Sequence, residues 1–524
     1  QGPGTGTLTL FLASGEGPAF ARSATGRDFP EDALGTIAYE LTLRGPSGET
    51  LVRTLIGGGP HSLTLTLGAW QVEVRALIGE VPIGTGSSAL HLTGGDNRAR
   101  LSMTLNQGVA LARDEAELAN EITAVAAGGS GVILLTGDID LNSFIDIDNG
   151  KTITLLAAGP ARTLRRISGG IRTSPGLLHS GGVLTLGSAG ERGKLVFDGL
   201  GVPSLDSILD VDTGGTLIID GNTEITRGVR SVNGGGAILA GPLSVLEMRS
   251  GKITDCRAQD GGAIDVQGGS FIMRGGEISG NTARSGVIGQ GGAIRIWGGS
   301  DDDSFTMEGG LISGNTANLG GAVAIQEGGS FTMNGGLISG NTADGGGGVL
   351  LLSNSLSPVG NNTFTMRGGE ISGNTALFVG GGFGGGVFVD NPAPYDTNRF
   401  FMEGGLIQNN TAANGGGVTV VGSNTGNTFT MTGGLIGANT ATVSGGGVYV
   451  NTTSNIGITG PTFAKRGGTI AGDNTAPAGP AAYGDTVPPK VRSAEAGPGV
   501  RLYCSGNTTV IDPLDSFDTG PNWN

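Results

Sequence analysis

Residues 305–317 read Phe-Thr-Met-Glu-Gly-Gly-Leu-Ile-Ser-Gly-Asn-Thr-Ala, and this thirteen-residue phrase returns along the second half of the chain. Its general form is Phe-x-Met-x-Gly-Gly-x-Ile-x-Gly-Asn-Thr-Ala. The copies start at Phe271, Phe305, Phe331, Phe364, Phe400, Phe429 and Phe463. A repeat of roughly 25 to 36 residues is typical of a solenoid, whose units bury their apolar faces only by stacking on one another.

A second phrase, Gly-Gly-(Ala)-Val/Ile-x-Val/Ile, lies before or between these copies. It starts at Gly261, Gly291, Gly320, Gly347, Gly385, Gly416 and Gly446. Together the two phrases supply three short strands per rung, separated by glycine corners that tolerate positive φ. The 105 glycines among 524 residues are phased to this repeat, which favours ordered turns over disorder. We therefore predict an all-β fold built around a parallel β-helix.

The domain boundaries follow from where the pattern begins and ends. We predict about twelve rungs over residues 131–476, with degenerate rungs first and regular rungs from Gly261 onwards. Residues 477–524 lose the pattern and gain prolines, so we expect a C-terminal cap or tail there.

The N-terminal part of the chain does not share the repeat. Residues 1–107 carry short alternating apolar runs separated by Gly/Pro/Ser turns, which predicts an immunoglobulin-like β-sandwich with Trp70 in its core. Residues 108–130 contain one helical pattern, in which Leu118, Ile122 and Val125 share a face. We expect this helix to cover the open edge of the first rung.

The overall charge limits the partners. A net charge of −15 argues against a nucleic-acid partner, because phosphate binding needs a basic face. No segment approaches the ~20 apolar residues of a membrane span. The chain opens on Gln1 without a methionine, as an exported protein does after signal-peptide removal, so we expect an extracellular or cell-surface location.

Two polar positions of the repeat are assigned structural roles. The turn asparagines are expected to form a buried corner ladder; they are Asn281, Asn315, Asn341, Asn374, Asn410 and Asn439. Cys256 occupies the same position one rung earlier and is expected to be a buried thiol. Its pairing with Cys504 requires the C-terminal segment to fold back to that rung.

The outward positions of the second phrase and the loops that follow them are the candidate interaction surface. Towards the C-terminus the column becomes Leu350, Phe388, Thr419 and Tyr449, which either forms an exposed contact stripe or is buried by neighbouring loops. Trp297 and Tyr395 lie in longer loops at one corner, where solenoids commonly build a binding face.

Two acidic clusters are candidate calcium sites, although a solvated edge explains each of them equally simply. The first comprises Asp138, Asp140, Asp146 and Asp148, and the second comprises Asp301, Asp302 and Asp303. Clustered carboxylates are the ligands that Ca²⁺ prefers. We expect no other cofactor.

Catalytic patterns are weak in this sequence. No Ser/His/Asp set or phosphate-binding loop stands out, and charged outward residues alternate in sign between rungs, as in Arg274 with Glu308 and Arg367 with Glu403. We therefore expect a non-enzymatic protein, with a polysaccharide lyase or hydrolase as the enzymatic alternative.

The Gly-Gly-Ala-Ile phrases at 261–264 and 291–294 resemble the GGAI half of the GGAI/FxxN repeats of chlamydial polymorphic membrane proteins. Residues 331–334, Phe-Thr-Met-Asn, match the FxxN half. The rungs also look like those of large β-helical surface proteins of spirochaetes and other bacteria. This resemblance covers residues 130–476 and implies a right-handed parallel β-helix solenoid with adhesive or structural roles.

The sequence leads to one main functional hypothesis and two alternatives. The main one is a bacterial structural protein that forms an extracellular filament, sheath or surface layer and whose main partner is itself. The alternatives are a monomeric adhesin that binds glycans or a host surface, and the polysaccharide-degrading enzyme. Strand addition between subunits would use the terminal segments. The candidate subunit contacts are Thr7, Leu8, Thr9, Leu10, Phe11 and Trp523.

Overall fold

The computed structural model describes most of the chain. The described residues are 5–12, 31–57, 59–148, 150–167, 171–173, 181–284, 288–299, 303–353, 360–377, 382–392, 397–422, 426–452, 461–471, 474–476, 502–505 and 509–511. They form an N-terminal β-sandwich, one α-helix and a parallel β-helix, which confirms the predicted fold class.

The sandwich has eight strands, numbered β1 to β8 along the chain. They are β1 (Thr5–Phe11), β2 (Ala38–Arg44), β3 (Thr50–Ile56), β4 (Pro60–Thr66), β5 (Gly68–Ile78), β6 (Val81–Leu92), β7 (Asp96–Arg100) and β8 (Thr104–Leu105). One sheet has the order β4-β1-β7 and the other β3-β2-β5-β6-β8. A 3₁₀ helix covers Glu31–Thr36. Trp70 is buried as predicted, and its Nε1 donates to the Thr66 carbonyl at 2.9 Å.

Strand β1 is the central strand of its sheet, which corrects the prediction that it joins subunits. Residues Thr7–Phe11 pair in parallel with β7, and the whole strand pairs antiparallel with β4. Leu8 and Leu10 are buried in the sandwich core. Because both edges of β1 are occupied within the chain, its backbone has no unpaired edge to offer a neighbour. The sequence could not show this, since strand partners are distant along the chain.

The helix α1 spans Glu115–Ala124 and is fixed at its start by Asp114, whose side chain accepts the Glu117 N–H at 2.9 Å. Leu118 and Ile122 are buried. The helix contacts the strands Val109–Ala112, Ser130–Leu135 and Ile139–Leu141 of the first rungs. It therefore packs against the start of the β-helix, as the amphipathic pattern predicts.

The chain divides into two compact units. The first comprises Gln1–Gly169, Thr173–Asp198 and Leu217–Glu224, and the second comprises Gly170–Arg172, Gly199–Thr216 and Ile225–Asn524. In the first unit the sandwich and the first rungs share one hydrophobic core, which joins Trp70 to Leu134 and Leu156. Arg162 adds an ion pair with Asp32 at 2.6 Å. The predicted boundary at residue 107 therefore does not separate two cores.

The β-helix has four parallel sheets, named here by their repeated residues. The phenylalanine sheet has 14 strands. They are Val109–Ala112, Ser130–Leu135, Thr152–Ala157, Val183–Leu186, Thr216–Ile219, Val245–Met248, Ser270–Met273, Ser304–Met307, Ser330–Met333, Thr363–Met366, Arg399–Met402, Thr428–Met431, Thr462–Lys465 and Thr509–Ile511.

The isoleucine sheet has 12 strands. They are Ile139–Leu141, Ala161–Arg166, Lys194–Asp198, Thr223–Thr226, Lys252–Thr254, Glu277–Ser279, Leu311–Ser313, Leu337–Ser339, Glu370–Ser372, Leu406–Gln408, Leu435–Gly437 and Thr469–Ile470.

The valine sheet also has 12 strands. They are Ile145–Asp146, Ile171–Thr173, Leu209–Val211, Ile238–Ala240, Ile264–Val266, Ile294–Trp297, Val323–Gln326, Val349–Leu352, Val387–Asp390, Val418–Gly422, Val448–Thr452 and Leu502–Ser505.

A fourth, threonine sheet of nine short strands corrects the prediction of three strands per rung. Its strands are Pro203–Ser204, Val229–Arg230, Arg257–Ala258, Thr282–Ala283, Thr316–Ala317, Thr342–Ala343, Thr375–Ala376, Thr411–Asn414 and Thr440–Ser444. The sequence pattern missed it because most of these strands are two residues long and follow a turn, too short for alternation to be visible.

Equivalent residues of successive rungs lie side by side. Phe331 pairs with Phe305 on one side and Phe364 on the other, and seven phenylalanine rings stack from Phe271 to Phe463. Their centroids are 4.6–4.9 Å apart and their planes differ by 5–16°. The centroid spacing matches the separation of neighbouring strands, so the strand register and the ring stacking reinforce each other.

The second glycine of the phrase is required by this stacking. Gly310 has φ of 90°, and a Cβ at this position would lie 2.6 Å from Cε of Met273 in the preceding rung. A methionine and a glycine one rung apart therefore fit together, which explains why both recur in the phrase.

The predicted asparagine ladder is confirmed and extends to Asn474. Asn341 Oδ1 accepts both the backbone N–H and the Nδ2 of Asn315, each at 2.9 Å. Its own Nδ2 donates to the Ile312 carbonyl at 3.0 Å and to Asn374 Oδ1 at 2.9 Å. All these asparagines are buried. Each amide therefore links its rung to both neighbours.

Cys256 occupies the first position of the same ladder. Its backbone N–H donates to Asn281 Oδ1 at 2.9 Å, as an asparagine N–H does in later rungs. The thiol is buried, and Sγ lies 3.3 Å from the Thr254 carbonyl oxygen. The prediction of a buried corner thiol is confirmed.

A second ladder at another corner was not predicted. Asn362 donates to Asn398 Oδ1 at 2.8 Å, and the Asn398 N–H donates to Asn427 Oδ1 at 2.9 Å. Each of these asparagines stands two residues before a repeated phenylalanine, a position that Asp303 occupies in an earlier rung. That spacing was visible in the sequence and identifies the ladder in retrospect.

Replacement of Asn341 by alanine tests the first ladder. Asn341→Ala leaves two buried donors of Asn315 without their acceptor and removes the side-chain donor to the Ile312 carbonyl, so we expect the free energy of unfolding to fall by at least about 3 kcal/mol. Urea unfolding followed by circular dichroism measures it. The matched control is Asn334→Ala, since Asn334 is exposed in the same rung. Equal stabilities of the two variants would contradict the ladder's role.

Candidate functional site

The outer face of the valine sheet carries the residues predicted as an exposed contact stripe. Leu350 and Thr419 are completely buried, and Phe388 and Tyr449 are 5% and 6% exposed. The stripe is therefore not a surface, and of the two predicted alternatives the structure shows the buried one. Thr419 also satisfies its hydroxyl internally, donating to the Asn414 carbonyl at 2.9 Å.

The residues that bury this face come from the segment just before each glycine pair. Leu319 and Phe383 pack against it, and the Phe383 ring lies 5.6 Å from that of Phe388 and 6.0 Å from that of Tyr449. We call this cluster the side core. It consists of Leu319, Ala324, Leu350, Leu352, Phe383, Phe388, Val421 and Tyr449.

The same outer face is ionic in the preceding rungs. Arg295 donates to both carboxylate oxygens of Asp265 at 2.8 and 2.7 Å, and to Asp260 at 3.0 Å. The side chains of Asp260, Asp265 and Arg295 are 8%, 0% and 6% exposed. We call these three residues the charged triad. Gln267 completes the hydrogen bonding of Asp265 at 2.6 Å.

Burial and pairing act in opposite directions on the triad. Burial raises the pKa of Asp260, and the positive charge of Arg295 offsets only part of that increase. Burial alone would lower the pKa of Arg295, but Asp265 and then Asp260 hold it above its ordinary value. The cation therefore keeps both carboxylates in a water-poor site, an arrangement that pairs charges without exposing them to a substrate.

Trp297 lies beside the triad and reaches the surface. Its side chain is 41% exposed, and the guanidinium carbon of Arg295 lies 5.2 Å from the ring centroid. Gln326 lies beside Trp297 in the next strand. Because Arg295 is fixed by two carboxylates, the ring has a firm partner on one side. Of the predicted interaction residues that the structure describes, Trp297 is the one that lies at the surface.

The first predicted calcium cluster holds basic side chains. Asp138 and Asp140 bind Arg165 at 3.2 and 2.6 Å, and Asp148 lies 3.6 Å from Lys151. Hydrogen bonding to Asp140 is the main cause of the raised pKa of Arg165. Asp146 is exposed on the same edge. These carboxylates therefore neutralise cations of the first rungs.

The second predicted calcium cluster is represented by Asp303. This residue is buried, and its carboxylate accepts the backbone N–H groups of Gly268 and Gly299, the latter at 3.1 Å. It acts as a corner cap. Across the described part of the chain, no three His, Cys, Asp or Glu side chains are grouped so that they could hold a metal ion.

Several predicted residues lie outside the described residues. They are Tyr395, Trp523, Asp301 and Asp302.

The predicted alternation of charge between rungs is confirmed where the structure describes it. Arg274 contacts both Glu308 and Glu247, the latter at 2.6 Å, and Arg367 lies 3.2 Å from Glu403. Such exposed pairs add little stability. Their effect is to balance charge along the outer surface.

Asp265 and Arg295 occupy the same outward position in successive copies of the second phrase, so the repeat itself indicates that they can pair. The second phrase does not include Asp260, and it does not indicate that the group is buried. Asp260 stands immediately before Gly261-Gly262, and an isolated bridge pairs its backbone with Gln290. Leu319 and Phe383 occupy equivalent positions close before later glycine pairs. The signal was therefore present as a column of residues before the second phrase.

Comparison with models of protein families, with curated proteins and with solved structures finds no match to this chain. The helix α1 is ten residues long, and no helix in the described ranges is long and apolar enough to cross a membrane.

One further titratable group is buried in the first unit. Burial raises the pKa of Glu191 to about 7, although its carboxylate accepts the N–H groups of Ala157 and Ser188 at 2.9 and 3.1 Å. Negative charge on Asp220 contributes to the increase. In the second unit, burial raises the pKa of Asp390 to about 6.

Removal of Arg295 tests the charged triad. Arg295→Leu leaves two buried carboxylates without their cation, so we expect a loss of about 3–5 kcal/mol in the free energy of unfolding at neutral pH. The loss should shrink at acidic pH, where the carboxylates become neutral. In the triple variant Asp260→Leu, Asp265→Leu, Arg295→Leu, an apolar cluster like the side core replaces the ions, and we expect most of the stability to return. A triple variant no more stable than Arg295→Leu would contradict this account.

Glu191 predicts a pH dependence of stability. Its pKa is higher in the folded chain than the ordinary value of 4.5, so its stabilising contribution is present below pH 4.5 and is lost as the pH rises to about 7. A shift of this size corresponds to roughly 3 kcal/mol. Urea unfolding at pH 4.5 and 7.5 should show that Glu191→Gln loses less stability over this interval than the wild type. Glu80→Gln, at an exposed glutamate of the same unit, should behave as the wild type.

Proposed function

We propose that this chain is a non-enzymatic structural protein of the bacterial exterior. Its β-helix acts as a stiff scaffold that displays loops at one corner and associates with copies of itself in a filament, sheath or surface layer. The resemblance of its rungs to bacterial β-helical surface proteins supports this role. The low cysteine count and acidic surface suit an exported protein that is stabilised by packing.

The observation that carries the proposal is the burial of the charged triad. Two aspartates and an arginine on an outward strand face have the composition of a polysaccharide-degrading site. In this chain their hydrogen bonds are directed to one another and their side chains are at most 8% exposed. A substrate carboxylate or glycosidic oxygen would have to displace these contacts before it could react.

The construction of the interior also favours a scaffold. The phenylalanine stack and the asparagine ladder run through the same seven copies of the phrase, so each rung is fixed to both neighbours by ring contacts and by hydrogen bonds. Insertions at the corner after the valine sheet leave both ladders in register, as the pairing of Phe331 with Phe364 across an insertion shows. Loops at that corner can therefore vary without changing the scaffold.

A second candidate function is glycan binding at Trp297. An exposed aromatic ring is typical of a surface on which a sugar ring stacks. The contact between Arg295 and the ring favours this candidate, because it fixes the ring before a ligand arrives. On this reading the protein is an adhesin whose scaffold carries the binding loop.

One experiment separates the scaffold, the adhesin and the enzyme. The purified full chain is incubated with neutral and acidic polysaccharides, while reducing ends, unsaturated uronate absorbance and retention in affinity electrophoresis are recorded. We expect no product release; retention that disappears in Trp297→Ala would establish the adhesin role. Release of reducing ends that is lost in Asp265→Asn but kept in the exposed control Asp146→Asn would overturn the non-enzymatic proposal.

A further inference from the structure

Among the described residues, strand β3 is an open edge of the sandwich. It stands at the end of the order β3-β2-β5-β6-β8, and β2 is its one partner within that sheet. The seven residues pair with β2 in unbroken register, from Thr50 with Arg44 to Ile56 with Ala38. The strand contains neither a proline nor a bulge, two of the devices that blunt edge strands.

The outward side chains of β3 are exposed, and two of them are apolar. Val52 is 59% exposed and Ile56 is 45% exposed, while Leu51 and Leu55 on the other face pack against the sandwich core. A long edge strand with exposed β-branched residues is a template for strand addition.

The pairing pattern shows which backbone groups are open. The Gly57 N–H donates to the Ile37 carbonyl at 3.0 Å, so the even-numbered residues of β3 direct their N–H and C=O groups away from β2. These residues are Thr50, Val52, Thr54 and Ile56. In agreement, the guanidinium of Arg53 reaches the Val52 carbonyl from the open side, at 2.9 Å.

We propose that β3 pairs antiparallel with β3 of a second copy about a two-fold axis at Thr54. In this register Val52 of each copy lies opposite Ile56 of the other copy, and the two Thr54 side chains lie opposite each other. Apolar β-branched pairs and Thr–Thr pairs are favourable across strands. The two five-stranded sheets then form one continuous sheet.

The register is selected by Arg53. An axis at Arg53 would set two like charges directly opposite each other, which is destabilising. The axis at Thr54 instead places Arg53 opposite Leu55, where its guanidinium can turn to solvent. The neighbouring outer face adds no local barrier, because Arg75 pairs with Glu40 at 3.0 Å and Arg44 with Glu73 at 3.4 Å.

This dimer is one contact between copies in the proposed scaffold. Its biological role rests on the proposed function, but the strand pairing itself does not. A two-fold contact closes on itself, so an extended filament would need a second, different contact.

The net charge of −15 on each copy opposes approach at long range. Added salt screens that repulsion, so the dimer should strengthen as ionic strength rises.

Sedimentation equilibrium of the full chain over a concentration series tests the proposal. We expect the wild type to pass from 52.1 kDa to twice that mass. Val52→Lys should raise the dimer Kd at least about tenfold, because both equivalent cross-strand pairs lose their apolar contact. The double variant Val52→Lys, Ile56→Glu should recover the dimer, since only an axis at Thr54 places the new lysine of one copy opposite the new glutamate of the other.

Two further variants keep the test clear of folding defects. Gln71→Lys adds the same charge to the exposed face of an interior strand and should leave the dimer unchanged. Thr54→Pro removes an N–H that β2 does not use and should abolish the dimer while the sandwich stays folded. A wild type that stays monomeric, or a double variant no better than Val52→Lys, would overturn the proposal. Either outcome leaves the polysaccharide experiment unaffected.

Discussion

The hydrogen bonds between each ladder asparagine and the backbone of the preceding rung are the constraint on which the regular rungs of the β-helix depend. A strand of two to four residues cannot satisfy all of the backbone N–H and C=O groups around it, because the chain turns at each corner and leaves the strand with which it was paired. The amide of Asn341 bridges this corner by accepting from Asn315 and donating to Ile312. Because the bonds require an asparagine at the same place in successive rungs, they hold the rungs from Asn281 to Asn474 in register. The stacked phenylalanines and the methionine–glycine contacts follow from that register.

The inward half of the β-helix could be predicted from the sequence, whereas the outward half could not. Phe331, Met333 and Ile338 point inward because alternation along a short strand assigns their faces directly. The same rule assigned Phe388 and Tyr449 outward, which is correct, but it left open whether they are exposed or buried, and the structure shows them buried. Their burial depends on Phe383, which precedes the glycine pair and folds back over the strand. Alternation describes a strand and contains no information about what lies above it.

Pairing partners that are distant in sequence were equally inaccessible. The residues Thr7–Phe11 are a clear strand by composition, yet their place between β4 and β7 depends on segments about fifty or more residues away. A strand that is paired on both sides has no free backbone edge with which to join a second copy, whereas a strand that is paired on one side has such an edge. The proposed self-association therefore uses the open edge of β3 and not β1, which the sequence suggested.

The outer face of the valine sheet is covered by charged side chains in some rungs and by apolar side chains in others. In the rungs of Asp265 and Arg295 the covered space is filled by ions that neutralise one another, and in the rungs of Leu350 and Phe388 it is filled by hydrocarbon. Ions in such a space need a complete set of partners, so their positions are fixed more strictly than those of apolar side chains. The charged triad lies next to Trp297, the aromatic residue of this face that reaches the surface. The strict positioning of Arg295 holds the exposed ring in one orientation, which is why the proposed glycan-binding site is placed at Trp297.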